Sequence, residues 1–436
     1  MKTLFYLLLS LALFAGCNKD DHSNDKTSDF NPTFAKILQE KGYISDSKRI
    51  LYEEVKDIER LDISGTGLTS LDGIEHFESL TELICYRNQL ASLDVSENTA
   101  LTVLSCGDNQ LTSLDVSKNT ALTELDCNSN QLTSLDVSKN TALTKLNCRI
   151  NQLTSLNVSG CTVLTELSCS NNQLMSLNVS GFTALTYLDC IPNQFTSLNI
   201  SGCIALTSLF YTHSQFLTSL DASGCTALTK LWCFNNPITS LDVSGCTALT
   251  ELRCNFSQLT SLDVSDCTAL TMLMCYGNKL TSLDVSKNTM LTSLSCLENQ
   301  LTSLDVSRNT ALEGLQCSSN QLTSLDISQN TALTVLSCYE NKLTSLDVSR
   351  NTALTELNCM NNQLNSLNVS QNTALTELCC YDNPGDGESL FPVTAWFDNN
   401  NIPGNMQFKF YSWEETDGKT WNYDGKTIRI DFRKAE

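Results

Sequence analysis

Cysteines at positions 85, 106, 127, 148, 169 and 190 follow one another at intervals of 21 residues. The interval slips once, where Tyr211 takes the next place and one extra residue enters near Phe216. It then resumes from Cys233 through Cys254, Cys275, Cys296, Cys317, Cys338, Cys359 and Cys380. A period held over about fifteen units marks a repeat array, in which a single unit cannot bury its apolar side and does so only by stacking on its neighbours. That excludes the two or three separate domains that 436 residues would otherwise allow.

One unit runs from Leu101 through Leu104, Cys106, Asn109, Leu111, Leu114, Val116 and Asn119 to Ala121. Its second half echoes its first, so each coil is expected to carry two short strands. Only Ser117 to Ala121 separate Val116 from Leu122, too few residues for a helix. The pattern resembles the leucine-rich repeat LxxLxLxxNxL, with cysteine in the third leucine place, from about Ile58 to Asn383, and is most similar to the short bacterial class. The resemblance implies a mainly β leucine-rich-repeat solenoid. About fifteen coils stacked some 4.8 Å apart would make a rod on the order of 70 Å long.

Such an array needs sealed ends. Residues 31–57 are expected to form a small helical cap, because Phe34, Ile37 and Leu38 are apolar at helical spacing. The solenoid is assigned to 58–388, opening with an irregular repeat from Ile58 to Leu80. After Asn383 the period breaks, and 389–436 reads as a β-rich cap with strands over Met406 to Tyr411 and Thr427 to Phe432.

Residues 1–16 carry Lys2, an apolar run from Leu4 to Phe14, and Ala15 and Gly16 before Cys17, a secretory signal too short to span a membrane. The stretch Leu13 to Cys17 resembles a bacterial lipobox, which implies lipidation of Cys17. Cys17 to Asp21 is similar to the tag of one lysine and two acids that directs Bacteroidota lipoproteins to the cell surface. Residues 17–30 then serve as a polar tether. These resemblances imply a surface-exposed outer-membrane lipoprotein that touches the membrane through its lipid alone. The net charge of -21 repels nucleic acid and anionic lipid.

The repeated places form ladders. The cysteines are expected inward, as buried reduced thiols, because in-register parallel side chains rarely offer a disulfide's dihedral. No CxxC occurs to bind zinc. Asn109, Asn130, Asn151 and their equivalents are expected to bond the turn backbone, with looser turns at Ser214 and Ser257. At the Asn119 place stand Cys161, Phe182, Cys203, Cys225, Cys246 and Cys267, and the four consecutive cysteines from Cys203 to Cys267 are the expected place for any oxidised pair. The outward row from Asp94 to Asp347 lacks a calcium-loop motif, and its carboxylates are expected to bond nearby serines.

Functional variation is confined to the outward places of the first half-repeat. Most coils offer Ser, Asn, Asp or Glu there. In the coils of Cys190 to Cys275 they read Tyr187, Asp189, Ile191, Ser208, Phe210, Thr212, Lys230, Trp232, Phe234, Glu251, Arg253, Asn255, Met272, Met274 and Tyr276. Five coils span roughly 24 Å, which makes an exposed patch on the order of 300 Å². Tyr187, Phe210, Trp232, Phe234, Arg253, Met272, Met274 and Tyr276 are therefore the candidate ligand-binding residues, in keeping with aromatic and arginine hot spots. Recognition of a protein on a host or bacterial surface, or adhesion, is the expected function. A glycan stacked on Tyr187, Trp232 and Tyr276 is the alternative, and a self-associating surface layer a third. With only His22, His76 and His213, no histidine triad or histidine metal cluster is available, so neither catalysis, metal nor cofactor is expected, and the protein is read as a monomer.

Overall fold

A computed structural model describes residues 24–408 and 418–436; the expected signal, Cys17 and its tag lie outside the described residues. Each first half-repeat forms a three-residue strand such as Val103–Ser105 or Glu124–Asp126, in which the central leucine is buried and its neighbours point outward. Strands from Arg60–Asp62 to Glu377–Cys379 join in one parallel sixteen-stranded sheet. Leu104 pairs with Leu125 and Leu125 with Leu146, one repeat apart. Across the slip, Leu209 still pairs with Leu231, so the extra residue is absorbed outside the strands and the inward column continues. The ladder cysteines and leucines form one continuous core along the rod.

The turn after every ladder cysteine but Cys190 places a left-handed residue two positions on, among them Arg87, Asp108, Ser129 and Ile150. The ladder asparagine follows. Asn130 Nδ2 donates to the carbonyls of Cys106 and Cys127 at 3.1 and 3.2 Å, and its Oδ1 accepts from the Leu111 amide at 2.9 Å. Cys106 also accepts from Asn109 at 3.1 Å, so each turn is tied both within its coil and to the next.

The second half-repeat departs from the expectation of two strands in every coil. Paired second strands occur only between Ser134–Asp136 and Ser155–Asn157, Ser176–Asn178 and Ser197–Asn199, and Ser219–Asp221 and Ser240–Asp242 within the repeats, besides Leu367–Asn368 at the C-terminal cap. In the three internal pairs the later coil carries Cys161, Cys203 or Cys246 at the place where most other coils have asparagine, although Cys225 and Cys267 stand there without such a pair. An asparagine there bridges coils through its side chain: Asn119 Nδ2 donates to the Val95 and Asn98 carbonyls at 2.8 and 2.9 Å. A thiol is the weaker donor, with Cys161 Sγ at 3.2 Å from the Val137 carbonyl. There the backbone links the coils directly, Val137 N–H to the Asn157 carbonyl at 3.0 Å. None of the thiols from Cys203 to Cys267 is bridged; each lies instead against a backbone carbonyl of the preceding coil. In the outward aspartate row, Asp115 Oδ1 accepts from the Ser117 amide at 2.9 Å, which holds its carboxyl below the usual range.

At the N-terminal end, helix α1 (Pro32–Glu40) starts at Asn31, whose side chain accepts from the Thr33 and Phe34 amides. It buries Phe34 and Leu38, with Phe34 stacked 6.3 Å from Phe77, while Ile37 is partly buried. Helix α2 (Tyr52–Val55) completes this end. At the other end, Leu390–Ala395 joins Leu367–Asn368 to Lys426–Lys434, and Thr420–Tyr423 forms the last strand, over a core of Phe391, Val393, Trp421, Ile430 and Phe432. Of the strand expected over Met406 to Tyr411, residues 406–408 show a single bridge, from Gln407 to Glu377, and the rest of it falls in 409–417, outside the described residues. Among the described residues no helix is long and apolar enough to cross a membrane.

Candidate binding face on the first strands

Parallel register sets the outward side chains in columns. Asp189, Phe210, Trp232, Arg253, Met274 and Ser295 occupy one column, and Tyr187, Ser208, Lys230, Glu251, Met272 and Ser293 the next. Side chains on adjacent strands are about 5 Å apart, so large ones in register pack on each other. Tyr187 meets Phe210 edge-on at 5.6 Å, and Phe210 meets Trp232 at 4.9 Å. The Arg253 guanidinium lies 4.6 Å from the centre of the Trp232 ring. The Glu251 carboxylate accepts from Trp232 Nε1 at 3.0 Å and from Arg253 Nε at 2.5 Å, locking both side chains, and Arg253 Nη2 reaches Met272 Sδ at 3.8 Å.

All eight candidates lie on the sheet's outer face, and the strand register brings Tyr187, Phe210, Trp232, Arg253, Met272 and Met274 into one packed row. Phe234 and Tyr276 sit at its margin, towards the turns. Expected as an exposed patch, all eight are half-buried, with Tyr187, Phe210, Trp232 and Arg253 packed on one another. Asp189 and Asn255 are buried, and Asp189 faces Arg149 Nε at 3.7 Å, so neither stands free to meet a ligand.

Three residues at the turn edge escaped the reading of the outward strand places. Phe256 is 49% exposed, sits two positions beyond Cys254 and meets Tyr276 edge-on at 4.9 Å. A Cβ on Gly277 would meet its ring at 2.6 Å, so glycine there lets Phe256 lie across the following coil. His213 packs edge-on at 5.7 Å against Phe234, beside the exposed Phe216 that belongs to the inserted stretch. The signal was present as hydrophobic residues in turn places otherwise held by polar ones, at Ile150, Phe216 and Phe256.

The face offers contact area and little reactivity. Burial pushes the Cys85, Cys233 and Cys296 thiols up to about 12 and raises the others along the ladder as well, so they stay protonated and are poor nucleophiles. Among the described residues no cluster of three or more His, Cys, Asp or Glu is placed to hold a metal ion.

A parallel β rod with cysteine and asparagine ladders and one aromatic outer strip is a repeat scaffold built for binding without catalysis. The chain belongs to the leucine-rich-repeat family. The sequence signature "Leucine Rich repeats (2 copies)" matches residues 99–140 and 226–267. The functional domain of InlJ from Listeria monocytogenes, described as including a cysteine ladder, is 36% identical over 86% of this chain and 77% of its own, with a TM-score of 0.63. A leucine-rich-repeat protein of Leptospira interrogans is 28% identical over 76% of this chain and 92% of its own, TM-score 0.62. YopM of Yersinia pestis shares the fold, at 22% identity over 70% of this chain and 84% of its own, TM-score 0.53. No curated protein matches the sequence.

Proposed function

We propose that this protein is a lipid-anchored surface receptor or adhesin that recognises a protein ligand through the strip from Tyr187 to Tyr276. The observation that carries the reading is the row Tyr187, Phe210, Trp232 and Arg253, large side chains packed in register on the outer face of a largely polar sheet. Mutual packing and the Glu251 clamp hold these side chains in place before any partner arrives, which lowers the entropic cost of association. A protein ligand fits better than a glycan. Sugar stacking requires an open aromatic face, whereas Trp232 has one face under a guanidinium, its N–H committed to Glu251, and Phe210 directed at it edge-on. Likeness to bacterial leucine-rich-repeat proteins supports a binding role.

A Trp232→Ala, Phe234→Ala double variant, compared with wild type in pull-downs from host and bacterial surface extracts, is expected to lose its captured proteins; a variant that captures the same set removes the strip from consideration. The anchor is proposed at Cys17, with the following lysine and acids as the export tag. Cys17→Ser is expected to abolish labelling by radioactive fatty acid and to release the protein from cells, and continued labelling refutes it.

A further inference from the structure

The outer strand face changes its electrostatics at Met272. Before that coil, five of the seven acids on or beside the face pair with cations of the same chain, Glu82 with Arg60, Asp108 with Arg87, Glu166 with Lys145, Asp189 with Arg149 and Glu251 with Arg253, the exceptions being Glu124 and Asp126. Beyond it, from four places before each cysteine to two after, stand the five glutamates Glu298, Glu313, Glu340, Glu356 and Glu377, besides Asp382, with no lysine or arginine in any of these places. None of the five makes an ion pair among the described residues. Half-buried apolar side chains, Met272, Tyr276, Val335 and Tyr339, stand among them.

Gly314 adds a separate pointer. It lies in the strand Gly314–Gln316, in register with Ser293 and Val335, and is the one glycine three places before a ladder cysteine. Its backbone is not left-handed, and a Cβ there would meet nothing within 4 Å. Neither conformation nor packing calls for glycine, which weakens a strand and often marks the close approach of another chain.

We infer that the face from Met272 to Glu377 docks a basic, extended segment of the protein partner. Its cations meet the unpaired glutamates and its backbone passes close over Gly314, with aliphatic side chains against Met272 and Val335. This rests on the proposal that the strand face binds protein, and it extends the contact beyond the aromatic strip. Alternate residues of an extended segment share one side at about 6.8 Å, so in an alternating sequence the basic side chains can all address the outer face on which the glutamates stand.

The probe is a fluorescein-labelled octapeptide of alternating arginine and valine, with the glutamine-valine peptide as control, titrated into the full chain at physiological and roughly half-molar salt. Wild type is expected to bind the arginine peptide at least about tenfold more tightly than the control, less so in high salt. A Glu298→Gln, Glu313→Gln, Glu356→Gln variant, altered only at outward side chains, is expected to lose that difference with its thermal midpoint unchanged. Gly314→Val is expected to weaken binding about tenfold while melting no lower than wild type. Binding that survives the triple substitution is general attraction to an acidic rod and overturns the inference. So does Gly314→Val binding at wild-type strength, or melting lower, which makes the glycine structural. The Trp232→Ala, Phe234→Ala variant is expected to keep the peptide, so loss of the aromatic strip and loss of the acidic face read out separately.

Discussion

Removing one rung of the asparagine ladder tests the account of how coils are joined. Asn130→Ala deletes the hydrogen bonds donated to the Cys106 and Cys127 carbonyls, a third to the Asn128 carbonyl, and one accepted from the Leu111 amide. The two cysteine carbonyls are not stranded, because Asn109 still serves Cys106 and Asn151 still serves Cys127. The Leu111 amide loses its side-chain acceptor inside the core. At about 0.5 to 1.5 kcal/mol for each shared bond, and about 1 to 3 kcal/mol for a buried group left unmade, the loss comes to about 3 kcal/mol. The chain also contains the converse case. Ser257 occupies a ladder place, and its buried hydroxyl has no hydrogen-bond partner. Ser257→Asn restores a side chain able to reach the Cys233 and Cys254 carbonyls, and is expected to stabilise by about 1 to 2 kcal/mol.

Because each coil contacts only its neighbours, both effects are local, and hydrogen exchange of the flanking strands should be measured beside urea unfolding. Exchange near Leu111 should quicken in Asn130→Ala, and exchange around Ile238 should slow in Ser257→Asn. A loss below about 0.5 kcal/mol in the first variant, or no gain in the second, refutes the claim that these amides hold the coils together.

The thiol ladder predicts alkaline unfolding. An unfolded thiol titrates near 8.5, whereas burial holds Cys85, Cys233 and Cys296 at about 12, so between these values the unfolded chain sheds protons that the folded chain keeps. Stability is therefore complete below about pH 8.5 and falls by about 1.4 kcal/mol per pH unit for each such thiol as pH rises; a urea midpoint that stays flat up to about pH 11 refutes this. Ile150 is β-branched, 52% exposed and held at φ 53°. Ile150→Asn should raise stability by about 1 kcal/mol in thermal melts, and a loss would show that the isoleucine makes a contact worth more than its strain.

What was legible in the sequence is whatever the stack repeats. Leu104, Cys106, Asn109 and Leu111 each meet copies of themselves in the adjoining coils, so spacing alone identifies the inward columns, the turn and the joining amide. The extra residue near Phe216 was legible as a slip, but its harmlessness to the sheet was not, because only the pairing of Leu209 with Leu231 reveals it. The candidate strip was legible as a departure from Ser, Asn and Asp at outward places. Its exposure was not, since that depends on side chains of different coils closing over one another, as Phe210 does on Trp232. Asp189 shows the same limit: an outward place becomes a buried one when Arg149 reaches over it.

The two sides of the coil change together. Cysteine or phenylalanine replaces the second-half asparagine from Cys161 to Cys267, a stretch that overlaps the coils carrying Tyr187 to Tyr276. Where the later coil carries Cys161, Cys203 or Cys246, amide bridges between coils give way to backbone strand pairs on the side opposite the aromatic residues. A side-chain bridge tolerates small rotations of one coil against the next, whereas a backbone pair fixes strand spacing and register directly. Among the coils that carry the strip, this second clamp falls between those of Phe210 and Trp232, where Ser219–Asp221 pairs with Ser240–Asp242. Packed aromatics such as Phe210 and Trp232 keep their edge-on geometry only if neighbouring coils keep their register, so stiffness on one side and preorganisation on the other are a single structural requirement.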